Sequence, residues 1–276
     1  NIDATTVVRS LKTFLTEEEA TAQYGILSGK VDTLTNLPLS FNIAFATALV
    51  PAISAARAKK DMGTAVKRTR FSLMVTMVLG LPCMVGMIIL AQPILNLLFP
   101  NANAGATILQ VSSIAIIFMM LEQTVNGALQ GLGKIMVPAV ALTIGVLTKL
   151  ILNLILVPIP QIGVIGAAIA TGVCHAIAFF IGFRVLNNSM RLKLDISRFF
   201  VKPAFAAAIM GIISYASYII LAGIISEKLA TIIAILVAVV VYLVLVVIFK
   251  IFTKEEICMI PYGTKICKFL EKTGIY

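Results

Sequence analysis

Residues 57–98 read RAKKDMGTAVKRTRFSLMVTMVLGLPCMVGMIILAQPILNLL. Arg57, Lys59, Lys60, Lys67, Arg68 and Arg70 crowd the first part against the single acid Asp61, and an almost wholly apolar run follows. A helix needs about 20 mostly apolar residues to cross a hydrocarbon core, so this run can span a bilayer and leave its charged end on one side. Outward from it, the chain repeats the same unit. Apolar stretches occupy 31–56, 70–98, 106–130, 136–157, 163–187, 199–225 and 229–252. With 60% hydrophobic residues, 12% charged residues and a mean hydropathy of +1.04, no soluble class fits. The pattern predicts an all-α polytopic membrane protein with seven complete transmembrane helices.

The basic residues sit in every second gap. Besides 57–70, they occupy the turn at 131–135 (Lys134), the gap 184–202 (Arg184, Arg191, Lys193, Arg198, Lys202) and the tail from Lys250. The alternate gaps, FPNANAG (99–105), VPIPQIG (157–163) and the loop at Glu227 and Lys228, contain one lysine between them. The positive-inside rule then places the C-terminus in the cytoplasm. It also accounts for the net charge of +10, since each juxtamembrane Lys or Arg gains about 1 kcal/mol beside an anionic inner leaflet. No nucleic-acid partner is needed.

The chain opens at Asn1 with NIDATTVVRSLKTFL, which reads as the end of a helix, followed by an acidic turn at Glu17, Glu18 and Glu19. An upstream membrane portion is therefore expected; an interfacial amphipathic helix is the alternative. Cys83 and Cys174 lie in spans, while Cys258 and Cys267 lie in a tail expected to be reduced, so free thiols are predicted rather than a disulfide framework. Either tail cysteine is also placed for palmitoylation. The tail 254–276, with apolar residues between lysines, reads as a short interfacial helix.

The external gaps are too short for catalytic machinery, and no GxSxG, P-loop, HExxH or paired-carboxylate motif occurs. Transport is the better reading, and the polar content of the spans carries it. In 31–56, Asp32, Thr33, Asn36, Ser40, Thr47, Pro51 and Ser54 share an arc of roughly 100° on a helix. Such a stripe faces packed neighbours or a hydrated cavity. For Ser40, Thr47 and Ser54, interhelical hydrogen bonding is the favoured reading; Asp32 and Asn36 are as consistent with a cavity wall. Pro38 and Pro51 can bend the helix or free carbonyls toward a pore.

Two charges stand well inside spans, where each costs roughly 2.5–3.5 kcal/mol on insertion scales. Glu122 shares a face with Asn126 and, less closely, Gln130. It is read as a cavity residue, as half of an intramembrane ion pair, or as a residue in a shallow position near the inner interface. Lys149 shares a face with Asn153 and is read as a cavity residue. His175 is expected to hydrogen-bond a neighbouring carbonyl rather than relay protons. The Gly127-x-x-x-Gly131 pair and the small-residue run from Gly163 to Gly172 predict close helix approach.

Several segments together resemble a known family: Tyr24-Gly25, LTNLPLSFNIAFATALVPAIS (34–54), ALQGLGK (128–134) and LNLILVPIPQIGVIGAAIAT (152–171). They are similar to the polysaccharide transporter family typified by stage V sporulation protein B, within the multidrug/oligosaccharidyl-lipid/polysaccharide exporter superfamily. The resemblance implies the C-terminal portion of a two-lobe, 14-helix flippase fold. Residues 1–187 would be the second lobe, 188–252 two additional helices and 253–276 a basic cytoplasmic tail, with the first lobe of the same chain as a partner. The implied function is moving a polyprenyl-diphosphate-linked glycan from the cytoplasmic to the outer leaflet of a cell membrane, with no enzymatic step. The substrate cavity would then use Arg9, Asp32, Asn36, Ser40, Glu122, Asn126 and Lys149.

Some relatives bind a coupling cation on the helices corresponding to 1–15, 136–157 and 163–187. Here Asp3, Asn153 and Thr171 could supply oxygens, but Lys149 stands one turn from Asn153. The expectation is that its ammonium replaces the cation and pairs with Asp3, so Na⁺ or H⁺ coupling would not run through this site. No cofactor is implied. The rivals are a cation-coupled multidrug exporter, an envelope or sporulation assembly scaffold, and a heptahelical receptor or retinal protein. The last is opposed by the absence of a lysine in the interior of the final span. The absence of Trp and the Lys- and Ile-rich composition point weakly to a Gram-positive host.

Overall fold

The computed structural model describes residues 2–100 and 103–258. Within them all regular structure is helical. Seven helical segments, 17–58, 62–89, 106–131, 136–156, 164–190, 197–222 and 227–248, are long and apolar enough to cross a membrane, so the chain is a multi-pass membrane protein. The expected spans match these, with boundaries displaced by a few residues except at two places. The second span stops at Ile89, and the chain re-enters a separate short helix at Ala91. The first reaches back to Glu17.

That extension corrects the reading of the N-terminal region. Helix α1 is Ile2–Leu11, and Glu17, Glu18 and Glu19 form the first turn of a helix α2, Glu17–Gly25, rather than a turn. Thr16 caps it: the Glu19 amide donates to Thr16 Oγ1 at 3.3 Å, and the Thr16 amide donates to Glu19 Oε2 at 3.1 Å. The three carboxylates also sit at the positive end of the helix dipole. A π-helical stretch, Ile26–Val31, joins α2 to α3, Asp32–Ala58, without a break.

The chain forms two compact units, 1–193 and 194–276. The first contains α4 (Met62–Ile89), α5 (Ala91–Leu98), α6 (Ala106–Gly131), α7 (Met136–Leu156) and α8 (Val164–Met190) besides α1–α3. Helix α6 is its axis, packing on α3, α4 and α8, while α7 packs on α8 and α1 lies against α7. Small residues permit this closeness. A Cβ on Gly127 would collide with the Ala46 carbonyl, and one on Gly131 would lie 2.8 Å from Ile53 Cβ, so α6 and α3 touch along the Gly-x-x-x-Gly ridge. The α7–α8 contact is built the same way, with Gly145 2.6 Å from the Cys174 carbonyl and Gly166 2.8 Å from Leu156 Cβ, measured from the added carbon.

The two ends of this unit differ in character. At one end Val7, Leu11, Leu27, Leu95, Leu109, Val157 and Val164 form an apolar cluster that gathers α1, α2 and the helix ends beside gaps 99–105 and 157–163. Gly105 (φ +114°) and Gly163 (φ +50°) start α6 and α8 there in conformations open chiefly to glycine. At the other end lie the basic gaps. Arg57 donates to the Leu132 carbonyl at the end of α6, and Lys134 Nζ donates to Ser189 Oγ at 2.7 Å. Asp61 caps α4 through the Thr64 amide and hydroxyl, and these hydrogen bonds hold its carboxyl below the ordinary aspartate range.

The second unit is a helical hairpin of α9 (Lys202–Ala222) and α10 (Glu227–Ile248), with a short α11 (Lys254–Cys258). Ser214 Oγ donates to the Ala234 carbonyl at 3.0 Å across the pair. The carbonyls beyond α10 are covered by cations: Lys202 Nζ donates to Phe249 O at 3.0 Å, and Arg198 donates to Ile251 O at 3.1 Å and to Glu256 at 2.7 Å. Several lysines and arginines of the basic gaps thus cap helices as well as carry charge. The interfacial helix expected over 254–276 and Cys267 lie outside the described residues beyond α11.

Candidate functional site

Helix α3 has three faces. Leu34, Thr35, Pro38, Leu39, Asn42, Ala46, Leu49 and Ile53 are buried against α4 and α6. Leu37, Phe41 and Phe45 are exposed and apolar, as a lipid-facing strip would be. Asp32, Thr33, Asn36, Ser40, Thr47, Pro51 and Ser54 are also exposed and form a separate polar strip. At 100° per residue the polar strip covers about 100° and lies between the packed face and the apolar one. The stripe expected from the sequence is therefore present, but it does not serve packing. Ser40 and Thr47 bond back to their own helix, to Asn36 O at 2.9 Å and Ile43 O at 2.8 Å. Ser54 reaches a neighbour, the Gly131 carbonyl at 3.1 Å. Interhelical bonding by Ser40 and Thr47 is thus corrected: they stand on a face with no helix of this unit against it. Pro38 and Pro51 sit inside α3. Pro38 is on the packed side, Pro51 on the polar strip.

The packed face carries what sequence reasoning missed. Asn42 is fully buried and donates from Nδ2 to Met120 O at 2.8 Å and Gln123 Oε1 at 3.1 Å. Thr76 of α4 donates to Asn42 Oδ1 at 2.9 Å and lies 2.7 Å from the Thr124 hydroxyl of α6. Three helices are tied at one level by groups that cannot find water. Asn42 falls roughly opposite the polar strip, so no arc analysis of α3 alone would have singled it out.

Glu122 is 6% exposed and lies in the α6–α8 contact, where its Oε2 is 2.6 Å from His175 Nδ1. Asn126 Nδ2 donates to its other oxygen at 3.3 Å. Glu122 is therefore corrected from a cavity wall to a member of an interhelical pair, the ion-pair alternative, and half-buried Asn126 is its helper. His175 meets a carboxylate, not the carbonyl expected for it. No spacing rule matches the two residues, which stand 53 positions apart. Gln130 is exposed, two turns along α6.

The remaining candidates scatter. Arg9 is exposed on α1. Lys149 is half-buried on α7, one turn from fully buried Asn153, and α1 packs against this helix as the expected pairing requires. The side chain of Asp3 lies outside the described ones. Thr171, half-buried on α8, spends its hydroxyl proton on Ala167 O at 2.9 Å. Among the described residues no three of His, Cys, Asp and Glu converge as a metal site. Neither Cys83 nor Cys174 is in a disulfide.

Comparisons with known proteins agree with this architecture. The membrane protein YabM of Bacillus subtilis (strain 168) is 30% identical over 273 residues, which is 95% of this chain and 50% of that protein. Stage V sporulation protein B of the same organism is 26% identical over 88% of this chain and 46% of its own length. Lipid II flippase MurJ of that organism is 30% identical over 59% of this chain and 30% of its own length. The chain thus spans about half the length of the first two relatives. A solved structure of lipid II flippase MurJ in an inward closed conformation superposes with a TM-score of 0.70 over 91% of this chain and 51% of that one, at 22% identity, which shows the fold. The family model described as lipid II flippase MurJ matches residues 30–260. Its span takes in α3 through α11, including the helix with the polar strip and the Glu122–His175 pair, and on this match the chain belongs to the lipid II flippase MurJ family.

Proposed function

We propose that this protein moves a lipid-linked cell-wall or polysaccharide precursor, a polyprenyl diphosphate bearing a sugar head, from the cytoplasmic to the outer leaflet by alternating access. One observation carries the reading: α3 presents an exposed polar strip, interrupted by Ile43, beside an exposed apolar one. A sugar head needs hydroxyl and amide partners, and its lipid tail needs none. A helix with both faces open can serve both at once. Membership in a flippase family supports the same conclusion, and no bond is made or broken in such a step.

In this reading the basic gaps face the cytoplasm, the C-terminus is inside, and the membrane is the bacterial plasma membrane. Arg9 and Lys149 are the candidate cations for a diphosphate, which favours charge-assisted donors. Lys149 takes the place of a coupling cation, so transport does not depend on Na⁺. The test is flipping of a fluorescent polyprenyl-diphosphate sugar in proteoliposomes made with the protein at its full encoded length. Flipping in Na⁺-free buffer, lowered at least about tenfold in Lys149→Ala, is expected. That factor corresponds to about 1.4 kcal/mol. No movement of the probe by the wild type contradicts the function. Strict Na⁺ dependence with Lys149→Ala unaffected contradicts the role of Lys149.

A further inference from the structure

The pairing of Glu122 with His175 does nothing for a sugar or a diphosphate, since Glu122 is buried between helices. Yet it brings a carboxylate and an imidazole within 2.6 Å inside two membrane spans. We propose that this pair is a proton-binding site that couples transport to the proton gradient, a role that rests on the transport reading above.

Proton counting explains why the pair suits this. With one proton between Nδ1 and Oε2 and none on Nε2, the site carries a net charge of −1. A second proton, on Nε2, makes it neutral, whichever partner holds the shared one. A third would make it +1. Because the two groups are in contact, the protons belong to the pair rather than to either residue. Isolated net charge is costly at bilayer depth, so the neutral, proton-loaded form fits the closed interface. Loss of that proton leaves an uncompensated negative charge in the contact between α6 and α8, two of the most closely packed helices of the unit. A proton thereby changes the energy of one helix contact, which is what a coupling site must do.

The surroundings make this pair a better candidate than other charges. The Asn126 amide donates to Glu122 Oε1, so the carboxylate keeps a donor when the shared proton moves away from it. The side chains are 7% exposed for Glu122 and 23% for His175, so the imidazole is the partner through which a proton would enter. On the elements packed against α6 and α8, other charges stand toward helix ends: Asp32 and Arg57 on α3, Lys67, Arg68 and Arg70 on α4, Arg184 on α8, Arg9 on α1 and Lys30 in the π-helical stretch. Cys83 on α4, Cys174 beside His175 on α8 and Lys149 on α7 are the further titratable groups in span interiors among the described residues. A structural ion pair would hold its protons throughout and respond to no gradient.

The test has two readouts on the protein at its full encoded length. In infrared pH-difference spectra of purified protein, a carboxyl or carboxylate band should change as the pair gains its second proton. It should vanish in Glu122→Gln, which preserves shape and hydrogen bonding, and move in His175→Asn. In proteoliposomes with the membrane potential clamped, an imposed pH difference should change the flipping rate of the polyprenyl-diphosphate probe at least about threefold. In Glu122→Gln the ratio of rates with and without that difference should fall to about one. A wild type that flips the probe but ignores the pH difference overturns the coupling and leaves the transport function standing. Spectra in which no Glu122-dependent band titrates overturn the proton site itself, whatever the flipping assay reads.

Discussion

Gly127→Ala is expected to lower the thermal unfolding midpoint of the detergent-solubilised protein by about 6–12 °C, and Gly127→Leu to leave no folded protein to measure. The added carbon meets the Ala46 carbonyl, part of the α3 backbone rather than a side chain that can swing aside. Relief requires α6 and α3 to separate, and both are held by further contacts, with Gly131 against Ile53 and Val50 one turn on. Overpacking costs roughly 1–3 kcal/mol and more where backbone must move. At about 2–4 °C per kcal/mol for a protein of this size, the upper figure gives the stated shift. Gly86→Ala is the control. Nothing lies within 4 Å of its added carbon, and alanine is the better helix former by roughly 0.8–1 kcal/mol, so the midpoint should hold or rise slightly. Equal losses at the two glycines would show that close approach of α6 to α3 does not set the response.

The second large effect concerns Asn42. Asn42→Leu keeps the branching and the number of heavy atoms but removes the donor to Met120 O and Gln123 and the acceptor for Thr76. Hydrogen bonds between membrane helices average only about 0.6 kcal/mol, with a maximum near about 1.7. Stranding the buried polar partners costs more, about 1–3 kcal/mol. A loss of about 2–3 kcal/mol is expected in reversible unfolding. The losses should not add in combination. Thr76 and Thr124 also bond back to their own helices, to Ser72 O at 3.0 Å and Met120 O at 3.2 Å, so adding Thr76→Val and Thr124→Val to Asn42→Leu should cost less than the sum of the separate losses. A triple variant that loses the sum of the separate losses would mean the three residues do not act as one network. In the proposed transport reading the network matters too: it fastens α3 to α4 and α6, so the polar strip would move with the unit rather than by itself.

The spans were legible because a bilayer imposes a length and a composition that few other environments demand. Gly127 and Gly131 were legible for a related reason, since two glycines one turn apart have few uses in an apolar helix. The strip on α3 was legible as an arc but not as a side. Polar residues lie on both the open and the packed faces of that helix, and only the position of α6 separates Asn42 from Ser40. Glu122 was marked by its cost, yet its partner lies on another helix, and sequence spacing cannot state which faces meet. The misread start of α2 is different. Thr16-Glu17-Glu18-Glu19 has the spacing of a capping box, and an acidic first turn is the normal company of a helix N-terminus.

The most direct test of the conduit is residue-by-residue water access along α3 in intact cells. Single cysteines replace Asn36, Ser40 and Thr47 on one strip and Leu37, Phe41 and Phe45 on the other, in a background without native cysteines, with a small membrane-impermeant thiol reagent as probe. A polar conduit wall on α3 requires labelling at the first three positions, slowed by a polyprenyl-diphosphate sugar, and none at the second three. Labelling of both strips alike, or of the phenylalanine strip alone, would mean that α3 does not line the path.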